Sequence, residues 1–471
     1  MLIQKSERRW ETRPLDCWDK AKELRKMFYQ DEKTAHANGV FLIEGGAEGA
    51  DSAMMAGIGN CHLILSQPTG ASIGNVGDEF ARQCRGVTEA AGYGRDMCGY
   101  MQNYIGSMLS NRHFLGGEFP PRDMVTQSAD WCNMFAKFPQ LEAEYWDVPQ
   151  HYMDAIGYYG PPDAERDEAR MEYIVAQNME AIEWLEKQTD QEFDDETYIE
   201  TTKSSMRVMA MRGEVIEYLQ TIPTPLDQKS LYSIFILGGL VKTQQEETEK
   251  FWKMLRDEIK WRAENHIGSV GTERYRWVEN EPPPWFFLKY YRYMEEYGAV
   301  CIGSPYTHGT QLVEQPDGTW KRPKTPLEEG VPLNTREDIV RLKSRSRGSS
   351  GSTGGGHGPA HEQYARRVLN MYKAFKCNGA ILPLHRAGIG CVFGMREIGV
   401  KMREMGIPFM HYETSHPGNR TDFSEGHLLD QLDTFMETQG LRRLQVETEK
   451  PRPEAEVEAR FDADMVLGDD D

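Results

Sequence analysis

Residues 40–65, VFLIEGGAEGADSAMMAGIGNCHLIL, decide the fold class. Val40-Phe41-Leu42-Ile43 is a short β-type run closed by Gly45-Gly46, and Cys61-His62-Leu63-Ile64-Leu65 is a second, followed by Pro68 and Gly70. Turn residues bound each run, as they bound strands. Before them, Ala21, Leu24, Met27 and Phe28 recur at helical spacing and predict a helix over about 17–37. Alternation of strand, turn and helix predicts an α/β architecture with a mainly parallel sheet. Farther on, Met124-Val125-Thr126 is strand-like, and residues 163–262 read as amphipathic helices interrupted at Pro223 and Pro225. Strand patterns return at 299–302, 379–382 and 407–410, separated by helical stretches such as 361–375. The expectation is two Rossmann-like lobes with mainly parallel sheets, 1–160 and 286–446, joined by a helical connector over 161–285. Residues 447–471, rich in Pro and acid, read as a disordered tail.

Composition removes several classes of function. With 54 Lys and Arg against 74 Asp and Glu the formal charge is −20, which repels a nucleic-acid backbone, and no basic stripe interleaved with aromatics offsets it. Nucleic acid is therefore not an expected partner. The longest apolar stretch, about 231–241, is well short of the ~20 residues of a membrane span. No apolar run follows the charged N-terminus, so a cytoplasmic protein is expected. Eight cysteines in 471 residues are too dilute for a disulfide framework, so each thiol is judged by its own setting.

Three of them share a setting. Cys98 lies in Gly94-Arg95-Asp96-Met97-Cys98-Gly99-Tyr100, where Asp96 is a candidate N-cap and Met101, Ile105 and Met108 continue a helical face. Cys132 follows Ser128-Ala129-Asp130 at a predicted loop-to-helix junction, and Cys391 follows a strand and the turn Gly388-Ile389-Gly390. A helix N-terminus favours thiolate over thiol, and the strand-to-helix junctions of open α/β sheets are where ligands gather. Three soft donors without closely spaced partners suit a cuboidal iron-sulfur cluster with one open site better than a closed zinc site. The alternative for each thiol taken singly is core filling. That reading is kept for Cys17, Cys61, Cys84 and Cys301, while Cys377 begins a strand and falls at the opposite end of its sheet from Cys391.

At these same residues the chain resembles the benzoyl-CoA reductase / 2-hydroxyacyl-CoA dehydratase family. The likeness is carried by Gly92–Tyr100 with its Cys-Gly-Tyr, by the distance from Cys98 to Cys132, by Cys377–Cys391, and by 406–413 and 429–437. It implies that Cys98, Cys132 and Cys391 hold one [4Fe-4S] cluster. It also implies a homologous second cluster-bearing subunit and a separate ATP-hydrolysing [4Fe-4S] activator, and no P-loop pattern occurs in this chain. Arg95–Tyr100 and His385-Arg386 look closer to the reductase branch. The leading expectation is thus an oxidoreductase subunit of an ATP-dependent benzoyl-CoA type reductase, dearomatising an aryl-CoA thioester by low-potential electron transfer in anaerobic aromatic degradation. A 2-hydroxyacyl-CoA dehydratase subunit, a lyase, is the first alternative. A non-catalytic cluster-bearing or scaffold partner is the second. His385, Tyr100 and His411 are the candidate proton donors. Arg341, Arg345 and Arg347, in or beside the Gly/Ser-rich stretch 344–356 read as a loop, are candidates for the CoA phosphates.

Overall fold

The computed structural model describes residues 9–45, 52–64, 66–76, 78–94, 96–128, 133–154, 163–238, 245–280, 282–350, 360–385, 394–414 and 423–444. The first sheet contains β1 (Phe41–Glu44), β2 (Cys61–Ile64), β3 (Met124–Ser128) and β4 (Gln150–Met153), all parallel, in the order β2-β1-β3-β4. Around it lie α1 (Trp18–Thr34), α2 (Ser52–Ile58), α3 (Ser66–Val76), α4 (Asp78–Ala90), α5 (Gly99–Leu109) and α6 (Asn133–Trp146). β1 and β2 are buried almost throughout, as the continuous apolar runs of a strand covered on both faces require.

The middle of the chain is helical, as expected. It contains α7 (Ala164–Thr189), α8 (Asp195–Tyr218), α9 (Gln228–Ile234) and α10 (Gln245–Glu264), and Asp163, Asp194 and Asp227 cap the first three through their side chains. The break between α8 and α9 carries the two prolines, with a cis bond at Ile222-Pro223.

The second sheet contains β5 (Tyr275–Val278) and β6 (Ala299–Gly303), then, beyond a hairpin of β7 (Val313–Glu314) and β8 (Trp320–Lys321), β9 (Gly379–His385) and β10 (Phe409–Thr414). Its order is β10-β9-β5-β6, again parallel throughout. Numbered along the chain within each sheet, both have the order 2-1-3-4. Its helices are α11 (Lys289–Glu295), α12 (Pro305–His308), α13 (Arg336–Ser350), α14 (Ala360–Ala374), α15 (Met395–Glu404) and α16 (Glu425–Thr438). Among the described residues no helix is long and apolar enough to cross a membrane.

Three of the differences from the sequence reading bear on the site and its surroundings. The central strand β5 comes from the stretch read as helical connector. All four of its residues are buried, and the apolar run is interrupted by Arg276, whose guanidinium donates to the carbonyls of Phe375, Thr221 and Leu219 at 2.8, 2.9 and 2.6 Å. Residues 344–350 belong to α13 rather than to a loop. Thr335 and Asp338 satisfy the start of that helix, and Ile339 and Val340 anchor it in the core. Finally, Cys98 itself, not Asp96, is the N-cap of α5, since a turn closed by Met97 N–H to Gly94 O comes first.

Candidate functional site

Cys98 is buried and has non-helical backbone angles (φ −48°, ψ 126°), and its carbonyl accepts the first helical bond, from Gln102. Its side chain takes no part in capping its own helix. It belongs to an aromatic cluster that joins α5 to the second sheet and holds Tyr100 and Tyr104 together with Trp277, Trp285, Tyr232, Tyr291, Ile381 and Tyr412. Trp285 Nε1 donates to the Tyr100 hydroxyl, which ties the segment after β5 to the first turn of α5. The edge of Tyr232 meets Trp285 at 5.1 Å between centroids.

Behind this layer lies Glu279, which directly follows β5 and is fully buried. Its Oε1 accepts from Tyr232, from Tyr291 at 2.6 Å and from Gln228 Nε2 at 3.1 Å, and its Oε2 accepts from Tyr290 at 2.9 Å. Burial pushes the Glu279 carboxyl above the usual carboxylate range, and the phenol and amide donors oppose that shift. No local sequence signal pointed to this group.

β5 and β9 are neighbours, yet the chain passes from β5 to β6 on one side and returns to β9 on the other. Their carboxyl ends therefore form a topological switch point, the place where open α/β sheets bind ligands. His385 is the last residue of β9, buried, with Nε2 at 3.1 Å from the Pro282 carbonyl. Tyr100 and His385 are thus both drawn to Trp285 and Pro282 of one short segment. His411 is not. On β10 it alternates with Met410 and Tyr412, which join the Cys98 cluster, and its ring packs instead against Gly399 of α15 and against Phe409. Burial lowers its pKa.

Arg341 lies on α13 with its guanidinium engaged by Glu172, in part at 3.2 Å, and by Glu337 at 2.9 Å. An incoming phosphate would have to displace both carboxylates. The side chains of Arg345 and Arg347, and the residues Cys132 and Cys391, lie outside the described residues. Among the described residues no three His, Cys, Asp or Glu side chains are grouped to hold a metal. Cys98 nevertheless fits as one cluster donor by its place at the N-terminus of α5, which favours thiolate. Cys17, Cys61, Cys84, Cys301 and Cys377 are buried as core. Burial pushes Cys17, Cys84 and Cys377 up to about 12, and Cys301 well above its ordinary value. Cys377 sits before β9, at the end of the sheet away from His385.

These features, two parallel sheets with a buried thiol at the start of α5 and a buried carboxyl at the end of β5, define an α/β protein with an aromatic cluster beside the switch point of its second sheet. The family described as 2-hydroxyglutaryl-CoA dehydratase, D-component, matches residues 81–438, and the chain belongs to that family. It is similar to the (R)-2-hydroxyisocaproyl-CoA dehydratase alpha subunit of Clostridioides difficile, 26% identical over 233 residues, 48% of this chain and 55% of that one. It is also similar to the (R)-phenyllactyl-CoA dehydratase alpha subunit of Clostridium sporogenes, 26% identical over 227 residues, 48% of this chain and 54% of that one. The chain spans about half the length of the curated relatives it matches.

Proposed function

We propose that this chain is a subunit of a 2-hydroxyacyl-CoA dehydratase, a lyase that removes water from a 2-hydroxyacyl thioester. The observation that carries the proposal is the family match across 81–438, which takes in Cys98, both switch-point strands of the second sheet and His385. Both relatives named above are dehydratase subunits, so the comparisons favour the alternative over ring reduction, which gains no support from them. In this reading Cys98, Cys132 and Cys391 hold a [4Fe-4S] cluster, and a second subunit and an ATP-hydrolysing activator complete the enzyme. Cys132 and Cys391 follow, in sequence, the third strand of the first and of the second sheet.

Bound there, the cluster would supply the low-potential electron that lets the thioester expel its 2-hydroxyl. The chain's own residues do the rest. The aromatic cluster around Cys98 excludes water, which strengthens every polar contact inside it. Tyr100 is held in place by Trp285, and His385, fixed against Pro282, can carry a proton at the carboxyl end of β9.

The test is anaerobic purification with the partner and activator subunits, followed by iron and sulfide analysis and assays with a 2-hydroxyacyl-CoA and with benzoyl-CoA. We expect dehydration that recycles its electron, so that reductant is used in far less than one equivalent per product, and loss of iron in Cys98→Ala. Stoichiometric reductant use with benzoyl-CoA and no dehydration would restore the reductase reading, and a native protein without iron would end the cluster assignment.

A further inference from the structure

Asn280 follows Glu279 at the carboxyl end of β5 and is fully buried. Neither Oδ1 nor Nδ2 has a hydrogen-bond partner among the described residues. Leaving both ends of a buried amide unmet forfeits the hydrogen bonds it made to water, and native interiors rarely tolerate it. The surroundings are able to satisfy such a group. Gln228, another fully buried primary amide nearby, donates Nε2 to Glu279 and to Ser304 Oγ at 2.9 Å and accepts from Thr307 Oγ1 at 2.7 Å. All four contacts made by Glu279 come from other groups, so Asn280 is passed over by a network one residue away. Its position is also particular, since two residues later the Pro282 carbonyl meets His385, and the segment thereby spans the switch point between β5 and β9.

We infer that Asn280 is a substrate-binding residue whose amide receives the polar end of the acyl group. This rests on the dehydratase reading and names a contact within that site. Nδ2 donates to the thioester carbonyl oxygen and Oδ1 accepts from the 2-hydroxyl. A primary amide offers one donor and one acceptor on the same edge, and a 2-hydroxyacyl thioester offers the complementary pair on adjacent carbons. The amide is uncharged, and the neighbouring Glu279 carboxyl is already met by donors, so the pairing suits a neutral carbonyl and hydroxyl rather than a phosphate or carboxylate. Asn280 is thus a specificity determinant for the hydroxyl that the reaction removes.

The experiment compares wild type and Asn280→Leu in the anaerobically assembled enzyme, measuring the thermal midpoint, the iron content and the affinity for a 2-hydroxyacyl-CoA and for the same acyl-CoA without the hydroxyl. Leu has nearly the shape of Asn and nothing to desolvate. We expect an equal or higher midpoint, unchanged iron, a roughly 10-fold or greater loss of 2-hydroxyacyl-CoA affinity, and a smaller loss for the deoxy ligand. Unchanged affinity for both ligands overturns the inference. A lower midpoint with unchanged affinity overturns it too, and assigns the amide a structural role such as holding a buried water. If wild type binds neither thioester, it is the dehydratase reading that fails.

Discussion

Glu44 and Glu279 occupy matching places. Each stands at the carboxyl end of the first strand of its sheet, and each is fully buried. Glu279 is met by phenols, whereas Glu44 faces a set of ionisable side chains, Glu32, Glu142, Arg122, His113, His62 and Tyr104. Arg122 donates to Glu32 at 3.0 Å and to Tyr104, whose hydroxyl donates to Glu142 at 2.7 Å. Burial alone would raise Glu32, yet Arg122 and His113 hold it down to about 2. Burial raises Glu44 and Glu142, and the single guanidinium does not offset it for three carboxyls. A carboxyl raised in the folded state binds its proton more tightly there than in the unfolded chain. Its contribution is therefore complete below the ordinary value of 4.5 and is lost as pH rises through the raised folded value. Glu44→Gln, which mimics the protonated side chain and keeps an acceptor for Ser66 N–H, should raise stability by ~1–2 kcal/mol at pH 8 and by much less near pH 4.5. Urea unfolding at the two pH values checks this, and an equal effect at both would show that the Glu44 carboxyl is not raised in the folded state. None of this was legible in the sequence, because Glu44 and Arg122 stand far apart along the chain and nothing local marks either as buried.

At the scale of the element, α5 joins the thiol to the fold. Every residue from Gly99 to Met108 is buried, so the helix is enclosed on all sides and not amphipathic. It approaches its neighbours backbone to backbone. A Cβ on Gly106 would lie 1.9 Å from the Cys84 carbonyl oxygen of α4, and one on Gly70 of α3 would lie 2.2 Å from the Tyr100 carbonyl oxygen. Gly106→Ala should cost about 3 kcal/mol or more, since backbone rather than a flexible side chain must move. Gly86→Ala, in α4 with open space around the new methyl, should be neutral or stabilising by up to ~1 kcal/mol. Thermal unfolding of the pair separates packing from helix propensity, and equal shifts would refute the close approach. The helix itself was legible from Met101, Ile105 and Met108. Its start was placed two residues early, because Asp96 is a good capping residue by type while the Gly94 turn delivers Cys98 to that position.

At the scale of the molecule, the second sheet depends on the N-terminal segment. Leu15, Cys17, Ala21 and Leu24 share one core cluster with Leu255, Ile259, Val278, Val300, Ala380 and Leu382. The backbone reinforces this, with Trp10 N–H donating to Gly271 O at 2.7 Å and Gly268 N–H to Glu11 O at 2.8 Å. A polypeptide of residues 245–444 holds every strand of the second sheet, but it lacks α1 and α8, whose apolar residues belong to the same core cluster. We expect it to bind a hydrophobic dye and to melt without a cooperative transition, while the whole chain melts cooperatively. A sharp calorimetric transition for the shorter polypeptide would contradict that dependence.

The sequence by itself determined the α/β class, the helical middle, strands β1, β2, β3, β6, β9 and β10, and the candidacy of Cys98, because these follow from local periodicity and from chemistry confined to a few adjacent residues. Tertiary structure decided the rest. It buried Arg276 within a strand by supplying distant carbonyls, placed Glu279 among phenols from α9 and α11, turned His411 away from the cluster that holds Cys98, and left Asn280 unmet at the switch point. Each of these depends on which remote groups come within hydrogen-bonding distance, which no local pattern specifies.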